Sequence, residues 1–246
     1  MSESCFTKEN MDSYLRKLAK KFRKLNGTKM PAEIILVGGA SVLLNYGFRE
    51  KSNDIDAFIR ASSVMKDAIL AVAEEEGLPR DWINTDFTKT ASFSPSIRKY
   101  AKYYKTFSNI LEIFTVDAEY LVAMKLMAGR LYKNDISDVI GILDEQKRRN
   151  QPLTLEQIQT AAKNLYGDYN ALPEASRIRI EQALQQDDLQ QLYSDSRQGE
   201  ILNKEVLLDF EESYPNTLTE SNLEDILSNI RRKKEAQDSN FRGKLK

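Results

Sequence analysis

Hydrophobic residues follow alternating helical and strand-like periods in the first half of the chain. Helical spacing predicts three helices, over residues 7–26, 41–46 and 63–76. Strand-like runs predict strands at 33–37, at 54–59 and, on either side of a turn near residue 109, within 102–116. Residues 82–87 show no clear period and are interpreted as irregular. These elements predict an α/β domain with a mixed sheet flanked by helices.

After residue 116 the pattern becomes helical. Two helices are predicted by spacing, over 119–132 and 136–146, and Pro173 can open a helix that runs toward residue 193. Capping-box matches at Thr154 and Ser221 predict two further helix starts, the second helix reaching about residue 236. The polar residues from 238 onward are expected to fray. We therefore predict a nucleotidyltransferase-like α/β domain over 1–116 and an all-helical region over 117–246, the first name resting on the resemblance described below.

Composition narrows the chemistry. The 246 residues contain no histidine, which excludes Ser-His-Asp and Cys-His catalysis and histidine-ligated metals. The lone Cys5 excludes an internal disulfide and a cysteine zinc site. A net charge of −1 gives no overall attraction to nucleic acid or to an anionic membrane. No apolar run approaches the length of a membrane span, and the first residues lack signal-peptide features, so we expect a cytoplasmic protein that does not bind membranes.

Two short motifs lie close together between residues 34 and 59. Asp54 and Asp56 are two residues apart on a predicted strand, so their side chains share a face and can converge on one hard cation such as Mg²⁺. The alternative is a solvated strand end. Gly38 and Gly39 follow an apolar strand and precede a helix that contains Ser41, an arrangement that can bind an anion through exposed amides. The alternative for the glycines is a simple tight turn.

Further charged residues occur at apolar positions. Glu112 lies in the strand segment NILEIFTV and is either a third acid of a metal site or a glutamate on the sheet surface. Lys125 lies among apolar residues of a predicted helix and either extends to solvent or contacts a triphosphate. Asp135 and Asp138 suit the first turn of a helix, although either could anchor Arg130 or a bound nucleotide.

The order of these motifs resembles the DNA polymerase β-like nucleotidyltransferase superfamily. A strand, a Gly-Gly turn, a helix, a D-x-D strand and a later acidic strand follow one another along the chain. The sequence is most similar to minimal nucleotidyltransferases related to the toxin of the AbiE abortive-infection toxin–antitoxin system. This resemblance rests on VGGASVLLNYGFREKSNDIDAF, on DWIN at 81–84 and on residues 111–139, and it covers roughly residues 30 to 145.

The resemblance implies a role for each matching residue. The implied catalytic and metal-binding acids are Asp54, Asp56 and Glu112, the last being aspartate in many relatives. The implied nucleotide-binding residues are Gly38, Gly39, Ser41, Lys125 and Asp138, with Asp135 as the alternative to Asp138. Arg49 and Ser52 match the R-x-x-S spacing before D-x-D. On this reading Lys125→Ala should weaken nucleotide use and leave the fold intact.

The implied activity is Mg²⁺-dependent transfer of a nucleoside monophosphate from a nucleoside triphosphate, such as ATP, to an acceptor hydroxyl. The acceptor could be RNA, a protein or a small molecule, and a toxin would have a cognate antitoxin protein as partner. An alternative is a non-catalytic nucleotide-binding or protein-interaction subunit with the same fold. Arg98, Lys99, Lys102 and Lys105 form a basic stretch, in which Tyr100, Tyr103 and Tyr104 are interleaved. This stretch is either an RNA contact or a solvated face.

Overall fold

The computed structural model describes residues 5–28, 30–219 and 222–243, and in the last helix it describes side chains as far as residue 233. The predicted capping residue Ser221 lies outside the described residues. The elements follow in the order α1 (Lys8–Asn26), β1 (Ala32–Leu36), α2 (Gly38–Asn45), β2 (Ile55–Arg60), α3 (Val64–Glu76), β3 (Ile83–Asn84), β4 (Ala101–Phe107), β5 (Leu111–Val116), α4 (Ala118–Ala128), α5 (Asp135–Arg148), α6 (Leu155–Tyr166), α7 (Glu174–Leu184), α8 (Leu189–Ser213) and α9 (Leu223–Gly243). Short 3₁₀ helices lie at Asp86–Lys89, Pro95–Tyr100 and Tyr169–Ala171.

The strands form one mixed sheet in the order β3-β2-β1-β5-β4. The central strand β1 is antiparallel to β2 and parallel to β5. At the edges, β3 runs parallel to β2 and β4 runs antiparallel to β5. The predicted fold, a mixed sheet with flanking helices followed by a helical region, is therefore confirmed.

The two faces of the sheet are covered by different helices. On one face, α1 and α3 pack with sheet residues that include Ile34, Leu36, Ile55 and Ala57. On the other face, Ile35, Val37 and Val116 join an apolar cluster that continues through α4, α5 and α6. The helices after residue 116 thus share a core with the sheet. The division of the chain at that residue stays a prediction.

Three local features differ from the sequence-based expectations. The segment at 82–87, expected to be irregular, contains β3, which pairs with β2. Just before β3, the buried Trp82 donates its indole N–H to the Ile69 carbonyl. α4 ends at Ala128 because Gly129 takes a left-handed conformation with φ of 55°. The helix expected from 173 toward 193 is two helices, since the Asp188 side chain caps a new helix by accepting the Gln191 amide.

Among the helices in the described part of the chain, none combines the length and the apolar character that a membrane crossing requires.

Candidate active site

The Gly-Gly turn and the aspartate pair meet because β1 and β2 are antiparallel neighbours. The turn follows β1 and the aspartates lie at the start of β2, so the Val37 N–H donates to the Asp56 carbonyl at 3.0 Å. Gly38 has a φ of 54°, and a Cβ placed on it would lie 3.2 Å from Asp56 Oδ2. The positive φ and the close approach of Asp56 both favour glycine at position 38. Gly38 therefore lets the backbone approach the Asp56 carboxylate.

Gly39 makes room for a different group. A Cβ on Gly39 would lie 2.5 Å from Arg49 Nη2 and 2.7 Å from Ser52 Oγ. The R-x-x-S segment thus packs directly over the second glycine. Arg49 is held there by a hydrogen bond from its Nε to the Lys51 carbonyl and by an ion pair with Asp138 at 2.5 Å. Gly39 is thus linked to the site through Arg49 and Ser52, which occupy the space that a side chain at position 39 would fill.

Ser41 requires a correction. Its side chain is fully buried, and its Oγ accepts the Val116 N–H at 3.2 Å, which links α2 to the end of β5. Ser41 does not line the cleft beside the aspartates. The expectation that its hydroxyl contacts a phosphate does not fit this placement, because the oxygen faces the sheet. Ser41 instead holds the α2 helix against β5.

A cleft of about 580 Å³ opens at this end of the sheet. Gly38, Asp54 and Asp56 line one side of it, and basic side chains from α4 and the following loop line it as well, namely Lys125, Arg130 and Lys133. The segment after α3 adds a wall with polar residues that include Asp81, Asn84, Asp86 and Lys89. The cleft therefore combines acidic residues, a backbone turn and cations, which is the set of groups that metal-bound phosphates require.

Glu112 also requires a correction, because the sheet register places it away from the aspartate pair. Glu112 pairs with Glu33 of β1, and Glu33 pairs with Arg60 of β2. Arg60 lies four residues beyond Asp56 along β2, so Glu112 is separated from Asp56 by roughly 13 Å along the strands and by two strand spacings across them. Glu112 shares the face of Asp56 but cannot share a metal ion with it.

Asn84 is a cleft residue that was not identified from the sequence. It is the cross-strand partner of Asp56, since β3 pairs with β2 in the register Asp56 to Asn84. Asn84 lines the cleft, and its Oδ1 accepts the Asp86 N–H at 2.9 Å. A two-residue strand is too short to show a period, so the only signal in the sequence was the DWIN match. The position beside Asp56 on the edge strand thus carries an amide.

Lys125 and the two aspartates of α5 form a buried ion-pair cluster. Lys125 is only 8% exposed, and its ammonium lies 2.9 Å from carboxylate oxygens of both Asp135 and Asp138. Arg130 pairs with Asp135 at 2.7 Å, which is the anchoring contact considered as one alternative from the sequence. Arg49 pairs with Asp138 on the far side of the cluster. Asp135 lines the cleft with Lys125, whereas Asp138 lies behind them and positions both Arg49 and Lys125.

Burial and neighbouring charges shift the pKa values of these groups. Burial, reinforced by the charge of Asp54, raises the pKa of Asp56 to about 6. The cations Lys125, Arg130 and Lys133 act in the opposite direction on Asp56. Burial alone would raise the pKa of Asp135, but Lys125 and Arg130 outweigh it and hold that pKa well below its usual range. The same pairing raises the pKa of Lys125 against the effect of burial. Asp135 and Lys125 are therefore both charged at neutral pH, whereas the raised pKa of Asp56 lies much closer to neutrality.

The basic stretch in and before β4 is largely neutralised by neighbouring acids. Arg98 pairs with Glu33 at 3.1 Å, Lys102 with Asp117 at 3.5 Å and Lys105 with Asp12 at 2.6 Å. The interleaved aromatic residues are also engaged, since Tyr100 stacks on Tyr120 and Tyr104 donates its hydroxyl to Asp12. This arrangement fits the alternative of a solvated face with surface ion pairs.

The mixed sheet, the Gly-Gly turn and the D-x-D strand around a polar cleft have the arrangement expected of a nucleotidyltransferase. The model of the family described as "Nucleotidyltransferase of unknown function (DUF6036)" matches residues 13–166, which is more than half of the chain. The chain belongs to this family. The matched region includes the sheet and helices α4 to α6, and ends before α7. No curated protein and no solved structure matches the chain. The closeness to AbiE toxins stays a prediction from the sequence.

Proposed function

We propose that this protein is a Mg²⁺-dependent nucleotidyltransferase that uses ATP or another nucleoside triphosphate. Membership of a nucleotidyltransferase family supports the general activity. The observation that carries the proposal is the shared cleft, in which Asp54 and Asp56 meet the Gly38 turn and the basic residues Lys125 and Arg130.

The residues present fit a divalent cation. Asp54 and Asp56 both line the cleft, and burial together with the neighbouring charge of Asp54 raises the pKa of Asp56. These two carboxylates would hold Mg²⁺ together with phosphate oxygens, an arrangement that this ion favours over an all-protein cage. When bound, the ion would neutralise charge on the triphosphate and on the departing pyrophosphate.

The other cleft residues would bind and orient the substrate. Arg130 and Lys133 carry positive charge at the wall that the phosphates would contact, and the Gly38 turn would offer its backbone N–H groups at the start of α2. Since Glu112 lies at the other end of the sheet, the proton of the acceptor hydroxyl would pass to an acid in the cleft.

The experiment uses the 246-residue chain with each radiolabelled nucleoside triphosphate, Mg²⁺ and cell extract. We expect label on a macromolecule or small acceptor, a loss of at least about a hundredfold in Asp56→Asn, and near-normal labelling in Glu112→Gln. Glu112→Gln is the matched control, since it removes an acid from the same sheet face outside the cleft. Absence of labelling with every nucleotide would refute the proposal, and a loss in Glu112→Gln equal to that in Asp56→Asn would refute the assigned site.

A second candidate function is nucleotide binding without transfer, in a subunit that serves protein interaction. It is favoured by Asn84, which places an amide rather than a further acid at the strand position beside Asp56. Calorimetry separates the two candidates. Binding of ATP with Mg²⁺ that is lost in Asp56→Asn, together with no labelling of any acceptor, would establish the second.

The acceptor, the toxin role and a cognate antitoxin are further parts of the proposal that rest on the sequence resemblance. The surface ion pairs of the basic stretch favour a protein or a small molecule over a large RNA as acceptor. A growth assay tests the toxin role. We expect induced expression to arrest growth, Asp56→Asn to abolish the arrest, and co-expression of a protein encoded by an adjacent gene to relieve it. Unimpaired growth on induction would refute the toxin role.

A further inference from the structure

The loop between α4 and α5 supplies two of the cations in the cleft. This segment, residues 129–134, is called the cationic loop because it carries Arg130 and Lys133, both of which line the cleft. It contains no regular helix or strand, so its backbone needs partners from elsewhere in the fold. Asp135 satisfies part of this need by accepting both the side-chain Nε and the backbone N–H of Arg130.

The last two helices supply hydrogen-bond partners to the backbone of Leu131 in this loop. Glu224 of α9 accepts the Leu131 N–H at 3.1 Å, and Asn203 of α8 donates its side-chain amide to the Leu131 carbonyl at 2.6 Å. Asn203 is itself buried and held in place by Arg231 of α9, whose guanidinium donates to Asn203 Oδ1 at 2.5 Å. Both polar groups of the Leu131 backbone are therefore fixed by side chains more than 70 residues further along the chain.

Helix α8 also fixes the far end of the cationic loop. Arg197 donates to the side-chain oxygen of Asn134. The buried carboxylate of Glu200 accepts the N–H groups of Ile136 and Ser137 at 2.9 and 3.1 Å, so that it caps the N-terminus of α5 from another helix. The start of α5 carries the aspartate that pairs with Lys125 and Arg130. The same helix thus supports both the loop and the ion-pair cluster behind it.

We propose that α8 and α9 are part of the active site, in that Asn203 and Glu224 are positioning residues that hold Arg130 and Lys133 in place for the phosphates. This inference rests on the proposed function for the identity of the ligand. Both helices lie beyond residue 166, where the match to the family ends, so the positioning is a property of this chain that the family match does not include. Neither residue lines the cleft, and each acts through the backbone of Leu131.

The test compares side chains that contact the cationic loop with matched neighbours that do not. The variants are Glu224→Ala and Asn203→Ala. Their controls are Asp225→Ala, at the exposed acid next to Glu224 on α9, and Glu205→Ala, at the exposed acid two residues after Asn203 on α8. Glu224→Gln is the conservative variant, because a glutamine oxygen can still accept the Leu131 N–H. Hydrogen exchange followed by mass spectrometry reports on residues 129–134 and, as an internal reference for global stability, on α1. Calorimetry gives the dissociation constant for ATP in the presence of Mg²⁺.

In Glu224→Ala and Asn203→Ala we expect exchange over 129–134 to rise about tenfold, exchange in α1 to stay unchanged, and the dissociation constant for ATP to rise roughly three- to tenfold. Glu224→Gln should restore both values, and the controls should match the wild type. Unchanged exchange in the two alanine variants would overturn the inference, as would faster exchange with unaltered ATP affinity. If the wild type binds no nucleotide, the proposed function fails, while the exchange data alone decide whether α8 and α9 hold the cationic loop.

Discussion

Replacing Lys125 by methionine should destabilise the fold, because its ammonium is the shared partner of two buried carboxylates. Lys125 lies 2.9 Å from an oxygen of each of Asp135 and Asp138, and neither aspartate is appreciably exposed. Breaking a buried ion pair from one side typically costs 3–5 kcal/mol. Each aspartate keeps one arginine, Arg130 or Arg49, so the lower end of that range applies. We expect the free energy of unfolding to fall by about 3 kcal/mol.

The assay is urea denaturation followed by circular dichroism, with the slope of the transition checked for equality between variants. For a chain of this length, a loss of about 3 kcal/mol corresponds to a decrease in melting temperature of roughly 6–12 °C. Lys105→Met is the control, since Lys105 makes an exposed ion pair with Asp12 and should cost less than about 1 kcal/mol. Equal unfolding free energies for Lys125→Met and the wild type would refute the reasoning.

The pH dependence provides an independent check on the cause. Lys125 and Arg130 hold the pKa of Asp135 well below its ordinary value of 3.8, so the stability that Asp135 contributes is present above about pH 4 and is lost as the pH falls toward the folded-state pKa. The difference between Lys125→Met and the wild type should therefore shrink in acid. A pH-independent difference would indicate lost packing of the lysine stem. The buried ion pairs of Lys125 thus lead us to expect a loss of stability, in place of the sequence-based expectation that its removal leaves the fold intact.

Three further predictions concern the turn, the cap of α5 and the aspartate pair. Gly38→Ala should weaken binding of ATP with Mg²⁺ at least about tenfold in calorimetry, whereas Gly77→Ala, which also has a positive φ but meets open space, should cost about 1 kcal/mol of stability without affecting binding. Burial raises the pKa of Glu200 from 4.5 to about 7, so the stability of the wild type should fall by up to about 3 kcal/mol as the pH rises from 4.5 through 7. Glu200→Gln should remove this pH dependence of stability in denaturation curves. If the dependence persisted in that variant, it could not be due to Glu200. Mg²⁺ affinity should rise with pH through about 6 as Asp56 ionises, and a flat titration by calorimetry would count against Asp56 as a ligand.

The sequence was informative where a function depends on neighbours along the chain. The Gly-Gly turn and the D-x-D pair each lie within a short segment, and a hydrophobic period placed both at strand ends. Their meeting across β1 and β2 follows from an antiparallel pairing of strands that are adjacent in sequence. The capping box at Thr154 is equally local, and its reciprocal hydrogen bonds with Gln157 are present. These features needed little knowledge of the tertiary structure.

The sequence was misleading where a role depends on sheet register. Glu112 lies on a correctly predicted strand and shares the sheet face of Asp56, yet the parallel pairing of β5 with β1 places it opposite Glu33 at the other end of the sheet. A shift of four residues along a strand does not alter the face of a side chain, so alternation alone could not locate it. Asn84 was missed for the opposite reason, because β3 is too short to show alternation. The partners of Leu131 on α8 and α9 are long-range contacts that no local pattern predicts.

The balance of charge in the cleft follows from the buried cluster. Lys125 and Arg130 line the cleft, but much of their charge is already matched by Asp135, which is fully buried between them. The aspartate pair, by contrast, lines the cleft, where Lys133 is a further cation that lowers the pKa of Asp56. Without a divalent ion, the pair would repel a triphosphate at close range. A divalent ion between Asp54 and Asp56 would neutralise the pair and bind phosphate oxygens directly, and the cleft cations Lys125, Arg130 and Lys133 would then add to the attraction. Under the proposed function, the cleft would thus be complementary to a metal-bound triphosphate rather than to a free one, and the helices beyond the matched family region would maintain that complementarity by fixing the loop that carries Arg130.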